Sequence, residues 1–193
     1  MNKKKVLIIG PSRKFLGGVS NYYNIVLPKL TATDSLLIKY IEIGSENKPM
    51  LRFISPLFDL IKISFFIVYF RPSIVHLNPS LNTKAIIRDS LFALIARVFG
   101  VKLIVFFRGW NVNNQWLFET FLLKKLTKIL LLADRYLVLN TTVEKYLIAK
   151  KVNPSNISRA TTVIPDSYSM SDIYIEQSIS KEKIRLLFLG RVV

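Results

Sequence analysis

A glycine-containing loop, residues 10–20, joins the first apolar run of the chain to a segment with helical periodicity. Glycine lets a ligand approach backbone amides closely, and the dipole of a helix favours an anion at its first turn. Gly17 and Gly18 therefore predict a phosphate site, with a tight strand-to-helix turn as the alternative. The loop departs from the dinucleotide fingerprint G-x-G-x-x-G, and Glu42 does not end the second apolar run in the usual way, so NAD is not expected.

Four further side chains with useful chemistry stand at or just after apolar runs, namely His76, Asn78, Arg108 and Trp110. Arg108 stays protonated, so it can bind a phosphate or form a structural ion pair but cannot act as a general base. Asn78 can hydrogen-bond substrate hydroxyl groups or cap the helix that follows. Trp110 can stack on a sugar or pack in the core, and His76 is expected to be a packing residue rather than a catalyst.

The composition points to a folded domain with an anionic partner. Of the 193 residues, 51% are apolar, and the formal charge is +16 from 28 basic and 12 acidic residues. One histidine and no cysteine are present, so neither a metal site nor a disulfide framework is expected. The basic residues are dispersed beside apolar segments rather than gathered in one stripe, which favours an anionic membrane surface over nucleic acid.

Residues 51–70 form a long apolar segment that invites comparison with a membrane span. Arg52, Asp59 and Lys62 interrupt it, and the charge-free part is far shorter than the roughly 20 residues that a span requires. Helical spacing instead predicts an amphipathic helix that packs on the sheet, with membrane contact left to whatever side remains exposed. The face expected to pack comprises Leu57, Leu60, Ile61 and Ser64.

Apolar runs of strand length alternate with helical segments, which is typical of a parallel sheet covered by helices on both faces. We therefore expect a Rossmann-like three-layer α/β/α domain with a mainly parallel sheet, spanning residues 1–165. Its six strands are predicted at residues 5–10, 36–43, 74–77, 101–107, 135–139 and 162–164. Helices are predicted near residues 19–30, 83–99 and 114–132, within 51–70, and after Thr141, which caps the last one in a capping box with Glu144.

A boundary is predicted after this domain. Residues 166–183 are polar, lack helical periodicity and carry several serines, which is linker composition. Residues 184–193 then begin a fresh buried strand that is closed by Gly190 and Arg191. A strand needs a covering helix, so we expect residues 184–193 to be the first strand of a truncated second α/β domain.

Six short stretches carry a family resemblance when they are taken together. They are Gly17-Gly18 with Tyr22, then SIVHLN (73–78), VFFRGW (105–110), VLNTT (138–142), VIPD (163–166) and LFLGR (187–191). In their order and intervals the chain resembles the N-terminal domain of glycosyltransferase family 4, the bacterial group 1 glycosyltransferases. The resemblance implies the N-terminal half of a GT-B fold, in which two Rossmann-like domains face a cleft and the C-terminal one holds most of a nucleotide sugar.

The resemblance also implies roles for particular residues, and it implies neither a metal nor a cofactor. Gly17 and Gly18 would approach the donor diphosphate through their amides, and Arg191 would neutralise the same group. The acceptor side would be lined by Asn78, Arg108 and Trp110. Family members often carry a histidine where this chain has Arg108, so a catalytic role for Arg108 and the identity of any base stay open.

The implied function is transfer of a sugar, with retention of configuration, from a nucleotide sugar to a glycan or polyprenyl-linked acceptor in cell-surface polysaccharide assembly. Its implied place is the cytoplasmic face of the plasma membrane, peripherally bound. The 193 residues alone are expected to be almost inactive, because half of a cleft cannot organise both substrates. Two other interpretations stay open: a non-catalytic, membrane-associated split subunit, and a basic nucleic-acid-binding α/β domain.

Overall fold

The structure is a computed structural model, and it describes residues 3–14, 17–44, 55–80, 82–108, 119 and 121–163. The strands of this part are β1 (Lys4–Pro11), β2 (Leu36–Ile43), β3 (Ile74–Leu77), β4 (Lys102–Phe107), β5 (Arg135–Val138) and β6 (Ile157–Arg159). The helices are α1 (Gly18–Thr31), α2 (Ser55–Phe70), α3 (Thr83–Val98), α4 (Phe121–Thr127) and α5 (Thr141–Ala149). Short 3-10 turns lie at Leu130–Leu132 and Pro154–Asn156.

The six strands form one sheet in the order β2-β1-β3-β4-β5-β6, and every pair in it is parallel. The strand order reverses at β1, since the chain runs first to β2 on one side and then to β3 on the other. Open parallel sheets bind ligands at such a reversal, outside the carboxyl ends of the strands. The predicted Rossmann-like three-layer α/β/α fold is therefore confirmed.

The sheet divides the core into two layers. On one face, Leu7 and Ile9 of β1 pack in a large, mainly aliphatic cluster with residues of α2, α3 and α5. On the other face, Ile8 packs with Tyr23 and Leu27 of α1. Successive residues of a strand point to opposite faces, and a strand that is covered on both sides must be apolar throughout. This explains the uninterrupted apolar run of β1.

Several predicted boundaries agree with the structure. β2 and β3 begin and end at the predicted residues, and α2 ends directly before Arg71 and Pro72. α3 ends at Val98, and Gly100 follows with φ of +67°, the left-handed conformation that commonly terminates a helix. Local breakers therefore set these ends, as the sequence indicated.

The sixth strand was predicted in the wrong place. Residues 162–164 were expected to form it, whereas β6 is Ile157–Arg159, and Thr162 and Val163 are irregular. Asn153 caps the preceding turn by accepting a hydrogen bond from the Ser155 N–H at 3.0 Å, and the strand that follows pairs with β5. β6 lies at the edge of the sheet and is mostly exposed, so hydrophobicity does not mark it.

The predicted packing face of α2 is only partly right, since Leu60 packs against the core and Ser64 is partly buried, but the other two residues are not. Leu57 and Ile61 are exposed, and the buried residues of the helix are Asp59, Ile63 and Ile67. Because α2 is apolar nearly all round, spacing alone does not select the buried side. The Asp59 carboxylate accepts a hydrogen bond from the Gly44 N–H at 3.1 Å, which satisfies it inside the fold.

The cap of α5 is Asn140 and not Thr141, which is the first helical residue. Asn140 Oδ1 accepts a hydrogen bond from the Val143 N–H at 3.0 Å. Glu144 does not complete a capping box, since its Oε2 accepts from Arg159 Nε at 2.7 Å. Asparagine caps helices at least as well as threonine, and here it stands one residue earlier.

The rest of the predicted organisation is only partly covered by the described residues. Of the helix expected at residues 114–132, the structure describes residue 119 and residues 121–132. α4 begins at Phe121 and ends at Thr127, and the 3-10 turn follows in place of a continued helix. Residues 114–118, the linker 166–183 and the strand within 184–193 lie outside the described residues. No helix within the described ranges is both long and apolar enough to cross a bilayer.

Candidate functional site

Three predicted site regions meet at one edge of the sheet. Gly17, Asn78 and Arg108 belong to the loops that leave the carboxyl ends of β1, β3 and β4, which are neighbours in a parallel sheet. Trp110 and Arg191 lie outside the described residues, so their roles stay predictions. The chemistry available at this edge depends on how each of the three loops is held.

The loop between β1 and α1 is tied to the end of β2 by Glu42. Its carboxylate accepts hydrogen bonds from the backbone N–H of Arg13 at 3.1 Å and from Ser12 Oγ at 3.0 Å. Ser20 Oγ donates to the Ser12 carbonyl at 3.0 Å and closes the loop from the other end. The hydrogen bond from the Arg13 N–H, followed by that from Ser12, lowers the pKa of Glu42. The carboxylate that a dinucleotide site would offer to a ribose is thus engaged in holding the loop.

The start of α1 has an open first turn. Gly17 precedes the helix with an extended φ of −176°, and no side chain of the described residues caps it. A Cβ added at Gly18 would meet nothing within 4 Å, and one at Gly17 would meet only Ser20 Oγ at 4.0 Å. Both glycines are exposed, and neither φ nor packing requires them, so a turn that needs glycine does not explain them. The first N–H groups of a helix have no partner within it, and here they can be reached closely from outside.

Asn78 connects helix α1 to strand β1 at the same edge of the sheet. Its Oδ1 accepts a hydrogen bond from the Tyr23 hydroxyl at 2.9 Å, and its Nδ2 donates to the Ile9 carbonyl at 3.0 Å. Burial raises the pKa of Tyr23, so its hydroxyl stays protonated and donates. Asn78 does not cap α3, since Asn82 accepts from the Ala85 N–H at 2.9 Å in that position. One proton and one lone pair of the Asn78 amide remain without a partner among the described residues.

Arg108 lies over aromatic rings at the end of β4. Its Cζ is 4.0 Å from the ring centroid of Tyr22 and 5.2 Å from that of Phe106. Nη1 is buried and has no hydrogen-bond partner, and no carboxylate of the described residues forms an ion pair with this guanidinium. Burial lowers the pKa of Arg108, which nevertheless remains charged at neutral pH. An unpaired, charged and buried donor is costly, so this position suits an anionic oxygen of a ligand.

His76 packs beside the same cluster. Its ring centroid is 6.3 Å from that of Tyr23 and 6.2 Å from that of Phe106, and Nε2 is buried without a hydrogen-bond partner. Burial, followed by the charge of Arg108, lowers the pKa of His76 to about 4. At neutral pH the imidazole is therefore uncharged, which is appropriate for a packing residue.

A cavity of about 340 Å³ opens at the same edge, between the ends of β1 and β2 and the first turns of α2 and α3. Its polar lining comprises Ser55, Asp59, Ser80, Asn82, Lys84 and Arg88. Arg88 Nε donates to Oδ1 of the buried Asp89 at 2.9 Å, and burial raises the pKa of Asp89. Asp59, Lys84 and Arg88 were missed because they stand inside helical segments, whereas Ser80 and Asn82 lie in the loop after β3, where only Asn78 was singled out. The available signal in the sequence was the carboxylate of Asp59 within the mostly apolar α2, which could have indicated a polar site there.

The described part of the edge therefore combines two elements whose chemistry suits an anion with a polar cavity. The elements are the open first turn of α1 and the guanidinium of Arg108. Within this part, no group of three or more histidine, aspartate or glutamate side chains is placed to hold a metal ion. The chemistry that the edge offers is recognition of phosphate and hydroxyl groups by amides and a guanidinium.

No protein family model matches the sequence, and no curated protein sequence matches it. Solved structures do match. UDP-N-acetylglucosamine 2-epimerase from Neisseria meningitidis, bound to UDP-GlcNAc, aligns with 79% of this chain at 12% identity and a TM-score of 0.55. The corresponding figures are 83%, 15% and 0.51 for the Rickettsia bellii UDP-N-acetylglucosamine 2-epimerase, and 80%, 11% and 0.54 for Staphylococcus aureus MnaA with UDP.

The chain spans less than half of each of these proteins, 44% of the Neisseria and Staphylococcus chains and 45% of the Rickettsia chain. At 11 to 15% identity such a likeness establishes the fold and nothing finer. The described part of this chain has the architecture of one GT-B-like, Rossmann-type domain.

Proposed function

We propose that this chain is the acceptor-side domain of a retaining family 4 glycosyltransferase. It would transfer a sugar from a nucleotide sugar to a glycan or polyprenyl-linked acceptor in cell-surface polysaccharide assembly. The observation that carries the proposal is the open start of α1, where two exposed glycines serve neither backbone conformation nor packing. The similar structures from Neisseria and Staphylococcus hold UDP-GlcNAc and UDP, which supports a nucleotide sugar as the ligand.

The open turn of α1 suits the leaving group of such a transfer. When the bond from the sugar to the diphosphate breaks, negative charge grows on the diphosphate oxygen. Amides at Gly17 and Gly18 are already oriented by the helix, so they stabilise that charge without rearranging. Side chains at these positions would hold a diphosphate away from the amides, which is a reason for glycine at both.

Arg108 supplies the acceptor side of the proposal. Its permanently charged, planar guanidinium is suited to bind two oxygens of the phosphate of a lipid-linked acceptor. The Tyr22 ring at 4.0 Å helps to fix its plane. Neither Arg108 nor His76 is a suitable base for the acceptor hydroxyl, since one stays protonated and the other has a buried Nε2.

A nucleotide-sugar epimerase is the second candidate, because two of the similar structures are UDP-N-acetylglucosamine 2-epimerases. An epimerase needs no acceptor. Incubation of the complete protein with UDP-GlcNAc alone, followed by proton NMR of the sugar, separates the candidates. Inversion at C2 without an acceptor would favour the epimerase, and transfer that depends on an acceptor would favour the transferase.

The binding step can be tested on the chain itself with UDP as the probe. We expect UDP to shift the backbone amide resonances of residues 17–20 in a ¹⁵N-labelled sample, with a Kd of about a millimolar, since one wall of a cleft binds weakly. Gly18→Ala should weaken binding by about tenfold, because its methyl group would stand between phosphate and amide. Folding should not suffer, since that Cβ meets nothing within 4 Å.

Thr141→Ala is the matched control, because Thr141 is the first helical residue of α5 as Gly18 is of α1. This control variant should bind UDP as the parent chain does. Equal UDP affinity of the parent chain and Gly18→Ala, or UDP-induced shifts confined to other residues, would contradict the proposed role of the α1 start.

A further inference from the structure

Helix α2 presents a broad apolar face to solvent. Six of its side chains are 54 to 76% exposed: Leu57, Phe58, Ile61, Phe65, Val68 and Tyr69. At 100° per residue they occupy about 120° of the helix circumference. Ile63 and Ile67 point to the opposite side and pack in the core. We call these six residues the α2 face.

The α2 face is contiguous. The rings of Phe65 and Tyr69 are stacked, with centroids 5.6 Å apart and planes inclined by 7°. Single exposed apolar side chains are ordinary on a soluble domain, as Ile148 is on α5, whereas a contiguous patch of this kind marks a contact surface. The packing of the domain itself does not explain it, because α2 already buries its other side.

Cations form a rim along one side and at the C-terminal end of the α2 face, where the partly buried Phe66 and Phe70 adjoin it. Lys62 is exposed on the helix itself and Arg71 directly after it. Lys39 lies 5.3 Å from the ring centroid of Phe66, and Lys5 lies 5.5 Å from that of Phe70. The one acidic residue of the helix, Asp59, is buried on the other side. An apolar centre with aromatic side chains and a cationic rim matches the interface of an anionic bilayer, where acyl chains meet negative headgroups.

We propose that the α2 face binds an anionic lipid bilayer, with the axis of α2 parallel to the membrane plane. At 16 residues the helix is about 24 Å long, too short to span but suited to lie in the interface. The inference does not rest on the proposed function, since lipid contact involves none of the residues of the nucleotide-sugar edge.

A second copy of the chain is a less suitable occupant of the α2 face. Each copy carries a formal charge of +16, and pairing two such faces would bring two cationic rims together. The repulsion between the two rims opposes a homodimer. Negatively charged headgroups would instead attract the same basic residues.

Sedimentation with sucrose-loaded vesicles tests the proposal. The 193-residue chain should bind vesicles of 70% phosphatidylcholine and 30% phosphatidylglycerol at least about tenfold more tightly than pure phosphatidylcholine, and 0.5 M NaCl should reduce this preference. The double variant Phe65→Ser/Tyr69→Ser should lose at least about tenfold in vesicle affinity, because two aromatic side chains no longer enter the interface. Ile148→Ser, an exposed apolar residue on α5, is the control and should change the affinity less than twofold.

Circular dichroism establishes that the double variant is folded, as expected for exposed positions. Gel filtration of the parent chain and the double variant reports on self-association. Failure of the parent chain to bind anionic vesicles, or equal binding by the double variant, would overturn the proposal. So would a dimer of the parent chain that the double variant dissociates while neither protein binds vesicles, since the occupant would then be a second copy. None of these results depends on UDP binding.

Discussion

Helices α1 and α5 begin at the same edge of the sheet but differ at their first turns. Asn140 caps α5 and satisfies the N–H of Val143, whereas Gly17 precedes α1 and offers no side chain. A cap of the asparagine type contributes about 1 kcal/mol of stability relative to alanine. α1 therefore leaves first-turn donors open to water or to a ligand at a position where a capping side chain would fit.

The two helices also pack on different kinds of surface. α5 buries Val143 and Leu147 in the aliphatic cluster. α1 packs through Tyr22 and Tyr23 against polar and charged neighbours, namely Asn78, His76 and Arg108. Polar groups in a core contribute less stability than aliphatic ones but can bind ligands. This contrast agrees with the proposal that α1 combines packing with ligand recognition, whereas α5 serves stability.

The largest expected effect comes from the neutral imidazole in the α1 layer. The pKa of His76 is about 4 in the folded chain, against 6.5 ordinarily. Between these pH values the unfolded chain binds a proton that the folded chain does not. The free energy of unfolding therefore falls by about 3 kcal/mol as pH drops from 7 to 4. This contribution of His76 is fully present above about pH 7.

His76→Phe should remove this part of the pH dependence. Urea unfolding of both proteins at pH 7, 5.5 and 4.5 measures it, and the titrations of Glu42 and Asp89 cancel in the difference. Parallel stability curves for the parent chain and the variant would show that His76 is not buried as a neutral ring.

A second prediction converts the start of α1 into one like that of α5. Gly17→Asp should cap the helix and place a negative charge beside the open amides, so UDP affinity should fall at least about thirtyfold. Stability should stay equal or rise by a few tenths of a kcal/mol. Calorimetric titration with UDP and thermal unfolding measure the two effects. Gly17→Asn, with the same cap and no charge, should lose less affinity, and a loss as large for both would assign the effect to capping alone.

The smallest expected effect is at the other helix. Asn140→Ala removes the α5 cap and should lower the free energy of unfolding by about 1 kcal/mol, as measured by urea denaturation. UDP binding should not change, because the start of α5 is closed by its own side-chain cap. Weaker UDP binding by Asn140→Ala would remove the contrast between the two helices.

The sequence predicted most accurately what depends on local chemistry. β2 and β3 were placed at their observed ends because each is a short apolar run between breakers, and the stop at Gly100 follows from the left-handed conformation that glycine permits. Gly17, Gly18 and Arg108 were selected because they follow apolar runs, and the carboxyl ends of parallel strands share one edge. Their roles in binding stay predictions.

The predictions failed where nonlocal contacts decide. α2 is apolar around most of its circumference, so only the hydrogen bond from Gly44 to Asp59 and the shape of the core determine which side is buried. β6 needs little burial at the sheet edge, and its position follows from pairing with β5. The cavity beside α3 is formed by residues of separate segments, which no single pattern connects.

The alternation of strands and helices, and with it a parallel sheet, follows from the amino-acid sequence, because strands covered on both faces require continuous apolar runs. The kinds of groups present at the strand ends follow from it as well. Tertiary structure alone decided that Tyr23 binds Asn78, that Arg108 lies over Tyr22, and that the apolar side of α2 faces outward. Those outcomes depend on distances between residues far apart in the chain, which only the packed sheet and helices establish.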